Sequence, residues 1–169
     1  MSAPGRTSKR HSETLIGVIS DTHGLMRSEA LEIMQGCSHI IHAGDIGSEH
    51  VLTELRRIAP LTAIRGNNDI QPWAKRIPET ARMQLHGRAI YVLHDLKTLE
   101  IDPIASGVCV VISGHSHKPA LVEKQGVLYL NPGSAGPRRF SLPLSAARLH
   151  VTKTSVHAEI VPIDLKASM

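Results

Sequence analysis

Aromatic residues are almost missing from this chain: one Trp, two Tyr and one Phe make up 2% of 169 residues. Its core must therefore be built from Val, Ile, Leu and Ala. The scarcity also removes the stacking half of a single-strand nucleic-acid platform, which interleaves aromatic with basic side chains. Cysteine is nearly as rare. Cys37 and Cys109 stand far apart, the latter inside an apolar run. They form neither a disulfide framework nor a thiolate metal pair, and their usage fits a reducing cytoplasm. No apolar run approaches the roughly 20 residues of a membrane span. The polar start MSAPGRTSKRHSE leads into no signal-type apolar region, so neither an anchor nor a signal peptide is expected. Internal repeats and low-complexity segments are missing too.

What is present is a hydrophobic fraction of 41% and a charged fraction of 20%, the balance of a soluble domain long enough to bury a core. The net charge of +4 is unevenly spread, because residues 1–14 carry Arg6, Lys9 and Arg10 against Glu13. The expected organisation is a disordered basic arm at 1–13 and one domain at 14–165. Such an arm can attract anions. A short solvated tail is the simpler reading, and no nucleic-acid partner is expected.

Two kinds of periodicity divide the chain. Leu15–Ile19, Ile40–Ala43 and Leu61–Arg65 read as strands. Between them lie a short helix at Arg27–Gln35, with Leu31 and Met34 on one face, and a helix at Glu49–Ile58. Val51, Leu52, Leu55 and Ile58 follow the 3.6 period, and Ser48 is placed as the N-cap. After Pro78 the pattern turns to strands. Ala81–Leu85 with Arg88–Leu93, Ala120–Glu123 with Val127–Leu130, and Ala147–Val151 with Val156–Val161 each read as a hairpin. Val108–Ser113, continuous and β-branched, is expected as a central strand. An α/β first half and a strand-rich second half predict two sheets packed face to face with helices outside.

Five of these apolar runs end on metal-competent side chains. Leu15–Ser20 is followed by Asp21 and His23, Ile40–Ala43 by Gly44-Asp45, and Leu61–Arg65 by Gly66-Asn67-Asn68-Asp69. Ile90–Leu93 is followed by His94, and Val108–Ser113 by Gly114-His115-Ser116-His117. Carboxyl ends of strands are where α/β sheets place their ligands. Glycine there permits sharp turns and close approach. Each piece alone is ordinary turn chemistry. Together, three oxygen donors and four imidazoles are too many for one ion and suit two divalent metals with mixed N and O ligands, one carboxylate bridging.

The ordered motifs D-x-H, GD, GN-x-D, H and GHSH resemble the calcineurin-like metallophosphoesterase superfamily. HAGD at 42–45, YVLHD at 91–95 and LNPGSAGPRR at 130–139 are similar to its small bacterial and archaeal phosphodiesterase branch. The resemblance implies a four-layer α/β/β/α sandwich of two mixed sheets flanked by helices. It implies hydrolysis of small phosphodiesters through a hydroxide held between two divalent ions, Mn²⁺ favoured and Zn²⁺, Fe²⁺, Ni²⁺ or Co²⁺ also compatible. Carried over by position, Asp21, His23 and His117 would bind one ion, Asn67, His94 and His115 the other, and Asp45 both. Arg65, Asn68, Arg138 and Arg139 are candidates for holding the substrate phosphate. Of the remaining groups, His42 is expected as a buried, hydrogen-bonded residue, and Asp69 and Asp95 as orienting or turn residues.

One position departs from the protein phosphatases of this superfamily. Where they carry a leaving-group histidine after the metal-binding Asn, this chain has Asn68. A carboxamide is no general acid near neutral pH, and such catalysis is typically worth ~10²–10⁴-fold. Esters with acidic leaving groups are therefore the expected substrates. Two other readings compete: a non-catalytic interaction scaffold of the same fold, as in retromer, and a nuclease. Seven filled ligand positions oppose the first, and the missing aromatic platform opposes the second. Homo-oligomerisation is left open by the sequence.

Overall fold

The computed structural model describes residues 13–165; the expected basic arm, apart from Glu13, lies outside them. Parallel strands need crossovers, and the first third of the chain supplies two. Strand β1 (Thr14–Ile19) leads through helix α1 (Ser28–Met34) to parallel β2 (His39–His42), and helix α2 (Glu49–Arg56) carries the chain on to β3 (Leu61–Ala63). Ser48 caps α2 as expected, its side chain accepting the His50 N–H, and Val51, Leu52 and Leu55 are buried. The helix stops at Arg56, and Ile58 reaches the same cluster from the turn beyond it. Helix α1 buries Ala30, Ile33 and Met34, while Leu31 is only partly buried against that cluster.

The second half is built on hairpins. β4 (Thr80–Leu85) and β5 (Arg88–Leu93) turn about His86-Gly87, and β7 (Ala120–Lys124) and β8 (Val127–Asn131) about Gln125-Gly126. All four turn residues have positive φ, the conformation whose twist matches the flanking strands. Between these hairpins runs β6 (Val108–Ile112), parallel to β5 and β8. β9 (Ser145–Val151) and β10 (Val156–Pro162) form the third hairpin and return to β1. Two mixed five-stranded sheets result, ordered β10-β9-β1-β2-β3 and β4-β5-β6-β8-β7.

Alternation along β1 shows how the layers stack. Ile16 and Val18 point between the sheets, joining Ile90, Val92, Val110 and Ile112. Ile19 points the other way, to the helices, with Ala30, Met34 and Leu55. Gly17 faces the helices as well: a Cβ there would lie 2.5 Å from Met34 Sδ, so the glycine sets how closely α1 packs. The fourth layer is thin. Over the second sheet, Leu99 and Ile101, beyond a 3-10 turn at Leu96–Thr98, cover Ala89, Leu93, Val108, Val111 and Val127. β7 lies past that cover and is exposed along its length. Among the described residues no helix is long and apolar enough to cross a membrane.

Candidate metal centre

Loops leaving six strands meet at one end of the sandwich and are laced by backbone hydrogen bonds. Asp21 and His23 donate to the carbonyls of Gly44 (3.0 Å) and Asp45 (2.9 Å), joining the loops after β1 and β2. Gly114 donates to His94 O (2.9 Å), joining those after β6 and β5, and Ala135 donates to Ser20 O (3.0 Å), bringing in the exit of β8. The loop after β3 is held by Asp69. Its buried carboxylate accepts from the N–H groups of Ile46 (3.0 Å), Gly47 (3.0 Å) and Gly66 (2.8 Å).

This lacing imposes an unusual backbone. Of eight non-glycine residues with positive φ among the described residues, five are Asp21, His23, Asp45, His115 and His117. Left-handed conformations away from glycine cost on the order of 1–3 kcal/mol each and gather at functional sites. Neighbouring glycines make room for them. A Cβ on Gly66 would lie 2.2 Å from Asp45 Oδ1, and one on Gly114 would lie 2.0 Å from Ser20 Oγ and 2.7 Å from Asp21 Oδ2.

The result is a tight set of donors facing one another. His117 Nε2 lies 3.4 Å from Asp21 Oδ1, and His23 Nε2 is 3.2 Å from His117 Nε2 and 3.8 Å from Asp21 Oδ1. His94 Nε2 is 3.3 Å from Asp45 Oδ2 and 3.9 Å from Asp21 Oδ1. Asp45 Oδ2 also lies 3.6 Å from His23 Nε2, so this oxygen stands between the two imidazoles. Two groups could each hold an ion: Asp21, His23 and His117; and Asp21, Asp45 and His94.

Hydrogen bonding leaves particular lone pairs bare. Asp21 Oδ2 accepts from Ser20 Oγ (2.7 Å) and from the His115 N–H (3.1 Å), but the buried Oδ1 has no hydrogen-bond partner. His94 Nδ1–H donates to Ala43 O at 2.7 Å, which leaves the neutral ring's lone pair on Nε2, also buried and without a hydrogen-bond partner. An imidazole lone pair aimed at a carboxylate is repulsive unless a proton or a cation lies between them. Metal-binding histidines are commonly oriented in this way, through an N–H to a carbonyl. The donors therefore fit divalent cations.

Electrostatics respond as this geometry requires. Burial works to raise the Asp45 carboxyl. The nearby His94 ring, with the N–H and carboxamide of Asn68 (3.0 and 2.9 Å), outweighs it and holds Asp45 well below the usual carboxylate range. Burial pulls His94 down, but Asp45, the Ala43 carbonyl and Asp21 carry it above its ordinary value. Burial lowers His23, with the two carboxylates opposing and His117 and Arg139 adding to the shift.

The other expected residues are placed less tightly. Asn67 and His115 line a cavity of about 390 Å³ with Arg65 and His94. His115 is 44% exposed and packs edge-on against His94, its Nε2 3.8 Å from Asp95. The Arg65 guanidinium pairs with Glu79 at 3.1 Å. Arg138 and Arg139 are exposed, on the segment that follows Gly136 across the Asp21–Thr22 backbone. The Asn68 carboxamide is engaged by Asp45 Oδ2. Sequence reasoning overlooked Ser20, Thr22 and Asn131. Asn131 donates to Gly114 O (2.9 Å) and Ser116 Oγ (3.1 Å), tying down the His115–His117 loop. Its signal lay in LNPGS, the polar end of an apolar strand.

A family model for the calcineurin-like phosphoesterase superfamily domain matches residues 15–154. A probable metallophosphoesterase of Methanothermobacter thermautotrophicus is 34% identical over 159 residues, 87% of this chain and 91% of the relative. Among solved structures, an archaeal phosphodiesterase superposes with a TM-score of 0.72 at 25% identity, over 88% of this chain and 100% of the other. Wild-type Vps29 of Entamoeba histolytica, complexed with Zn²⁺, superposes with a TM-score of 0.69 at 23% identity, over 89% and 100%. The last likeness is one of fold.

Behind the donors, His42 is locked neutral. The Gly44 N–H donates to its Nδ1 (3.1 Å), and Thr22 Oγ1 gives its proton to Ile46 O (2.9 Å), so Nε2–H must donate to Thr22 (2.9 Å). Full burial, partly opposed by Asp21 and Asp69, pushes His42 down from 6.5 to about 4. The unfolded chain then takes up a proton that the folded one refuses. This contribution is intact above pH 6.5 and fades as pH falls toward 4, by about 3 kcal/mol in all. Denaturant unfolding with chelator present should show a shallower loss of stability over that range in His42→Gln than in wild type. Parallel pH profiles would contradict the locked tautomer.

Proposed function

We propose that this chain, which belongs to the calcineurin-like phosphoesterase superfamily, hydrolyses small phosphodiesters with two divalent ions held at the strand ends. The observation that carries the reading is the bare Nε2 of His94 facing Asp45 Oδ2 and Asp21 Oδ1, beside the bare Oδ1 of Asp21 facing His117. Asp21, His23 and His117 would hold one ion. His94, with Asn67 and His115 completing its surroundings, would hold the second, and Asp45 would be shared. When bound, such ions supply water of lowered pKa and offset the charge that builds on the phosphoryl oxygens. With no thiolate in the set, the choice among divalent metals is loose, and intrinsic affinity rises toward Cu²⁺ rather than Mn²⁺; Mn²⁺ is the ion we favour.

The chain's own contribution is positioning. Asn68 fixes both oxygens of Asp45, the Ala43 carbonyl fixes the His94 ring, and Ser20 with the His115 N–H fixes Asp21. None of these groups is a proton donor suited to an alkoxide leaving group, which favours diesters with acidic leaving groups. A scaffold role is the lesser reading. A binding surface alone would not require five functional residues in left-handed conformations around bare lone pairs.

Chelation should abolish turnover, and several divalent ions, Mn²⁺ among the best, should restore it. Asp45→Asn should cost more in activity and metal affinity than the ~10–100-fold that loss of an orienting partner costs. Full activity after verified metal loss would refute the mechanism.

Single-turnover rates across diesters of graded leaving-group pKa should fall steeply as that pKa rises. Asn68→Ala should weaken metal binding by ~10–100-fold, as an orienting partner does, and leave that slope unchanged. A flat series would mean that leaving-group protonation is already catalysed; a slope altered by Asn68→Ala would place this side chain at the leaving group.

A further inference from the structure

Beside the donors lies a second cavity, of about 780 Å³, whose wall includes His115 and Asp95, the two residues it shares with the smaller cavity at His94. Its floor is the uncovered face of the second sheet. Val122 pairs across the strands with Tyr129 and Ala120 with Asn131, so β7 and β8 present these side chains to the same side. Leu96 and Leu99 also line the cavity. Val122 and Leu96, 45% and 41% exposed, both line this concavity. The charged residues of the lining are Lys97, Lys118 and Lys124 against Asp95 alone. The volume lies within the range of small-molecule sites, which are mostly apolar with a few placed polar groups.

We propose that this cavity receives one ester arm of the substrate, and that the arm is an aromatic ring carrying an anionic group. The proposal rests on the phosphodiesterase reading. It commits to an aromatic arm because Tyr129 and Val122 offer a broad apolar floor, and aromatic contacts favour stacked or edge arrangements. It commits to an added negative charge because the lysines outnumber the one acid. The wall is coupled to the donors through Asn131, which holds both Gly114 and Ser116 in the loop that carries His115 and His117. Cavity and metal centre therefore address a single ligand, phosphoryl group at the donors and arm along the sheet.

Methyl(phenyl)phosphinate and dimethylphosphinate mimic a diester but contain no ester bond, so binding can be read without turnover. Calorimetry on the full chain with Mn²⁺ should show the phenyl probe binding about tenfold tighter, which corresponds to about 1.4 kcal/mol. The Val122 methyl resonances should shift with the phenyl probe alone. Ala120→Trp, which fills the cavity from an exposed strand, should abolish the preference. With a para-carboxylated phenyl probe, Lys124→Gln should lose about two- to fivefold in affinity, the scale of an exposed ion pair, and this second variant tests the site even if Ala120→Trp fails to fold. Equal affinities, a preference that survives in Ala120→Trp, binding without a Val122 shift, or no binding at all would overturn the proposal. Diester hydrolysis is measured separately. Turnover of diesters together with equal phosphinate affinities overturns the cavity assignment and leaves the catalytic reading standing. Tighter binding of the phenyl probe without turnover of any diester overturns the catalytic reading, and the ester-arm assignment falls with it.

Discussion

Bare lone pairs that face one another at the end of two sheets are the constraint around which this molecule is arranged. Asp21 Oδ1 is buried without a hydrogen-bond donor, and His94 Nε2 points at Asp45 Oδ2 from 3.3 Å. Left alone, such groups repel or must share a proton, and burial removes the water that would screen them. A divalent cation between them would turn the same arrangement from a liability into a binding site. The supporting structure is what keeps the groups from relaxing apart.

That support is expensive. Five left-handed residues persist because loops from different strands clamp one another: Asp21 on Gly44, His23 on Asp45, Gly114 on His94, and Asp69 across three backbone N–H groups. Parallel strands make this possible. β1 and β2, and likewise β5, β6 and β8, deliver their carboxyl ends side by side. The aliphatic layer between the sheets, from Ile16 to Ile112, holds those ends at fixed spacing. Strain at the site is thus met by close packing behind it, as expected of a preorganised centre.

Much of this could be read from the chain alone. The hairpins announced themselves through His86-Gly87 and Gln125-Gly126, local turn signals that need no tertiary context. The donor set was legible because strand ends are local too, and Asp21, His23, Asp45, His94 and His117 do converge. What escaped depends on loops distant in sequence meeting in space. Asn68, expected at the substrate phosphate, also donates from its carboxamide to Asp45, 23 residues away, a contact that no local pattern announces. The tautomer lock on His42 needs Thr22 and Gly44 from different loops. The second cavity exists because β7 runs past the thin outer cover, which strand periodicity does not reveal.

Fold by itself does not decide function; what would decide it here is whether two ions share Asp45. Low-temperature electron paramagnetic resonance during titration of the metal-free chain with Mn²⁺ reads that point directly. We expect an exchange-coupled pair to grow in and saturate at about two ions per chain, as in two-metal sites with ions ~3.5–4 Å apart. Saturation at one isolated ion, or two ions without coupling, would contradict it.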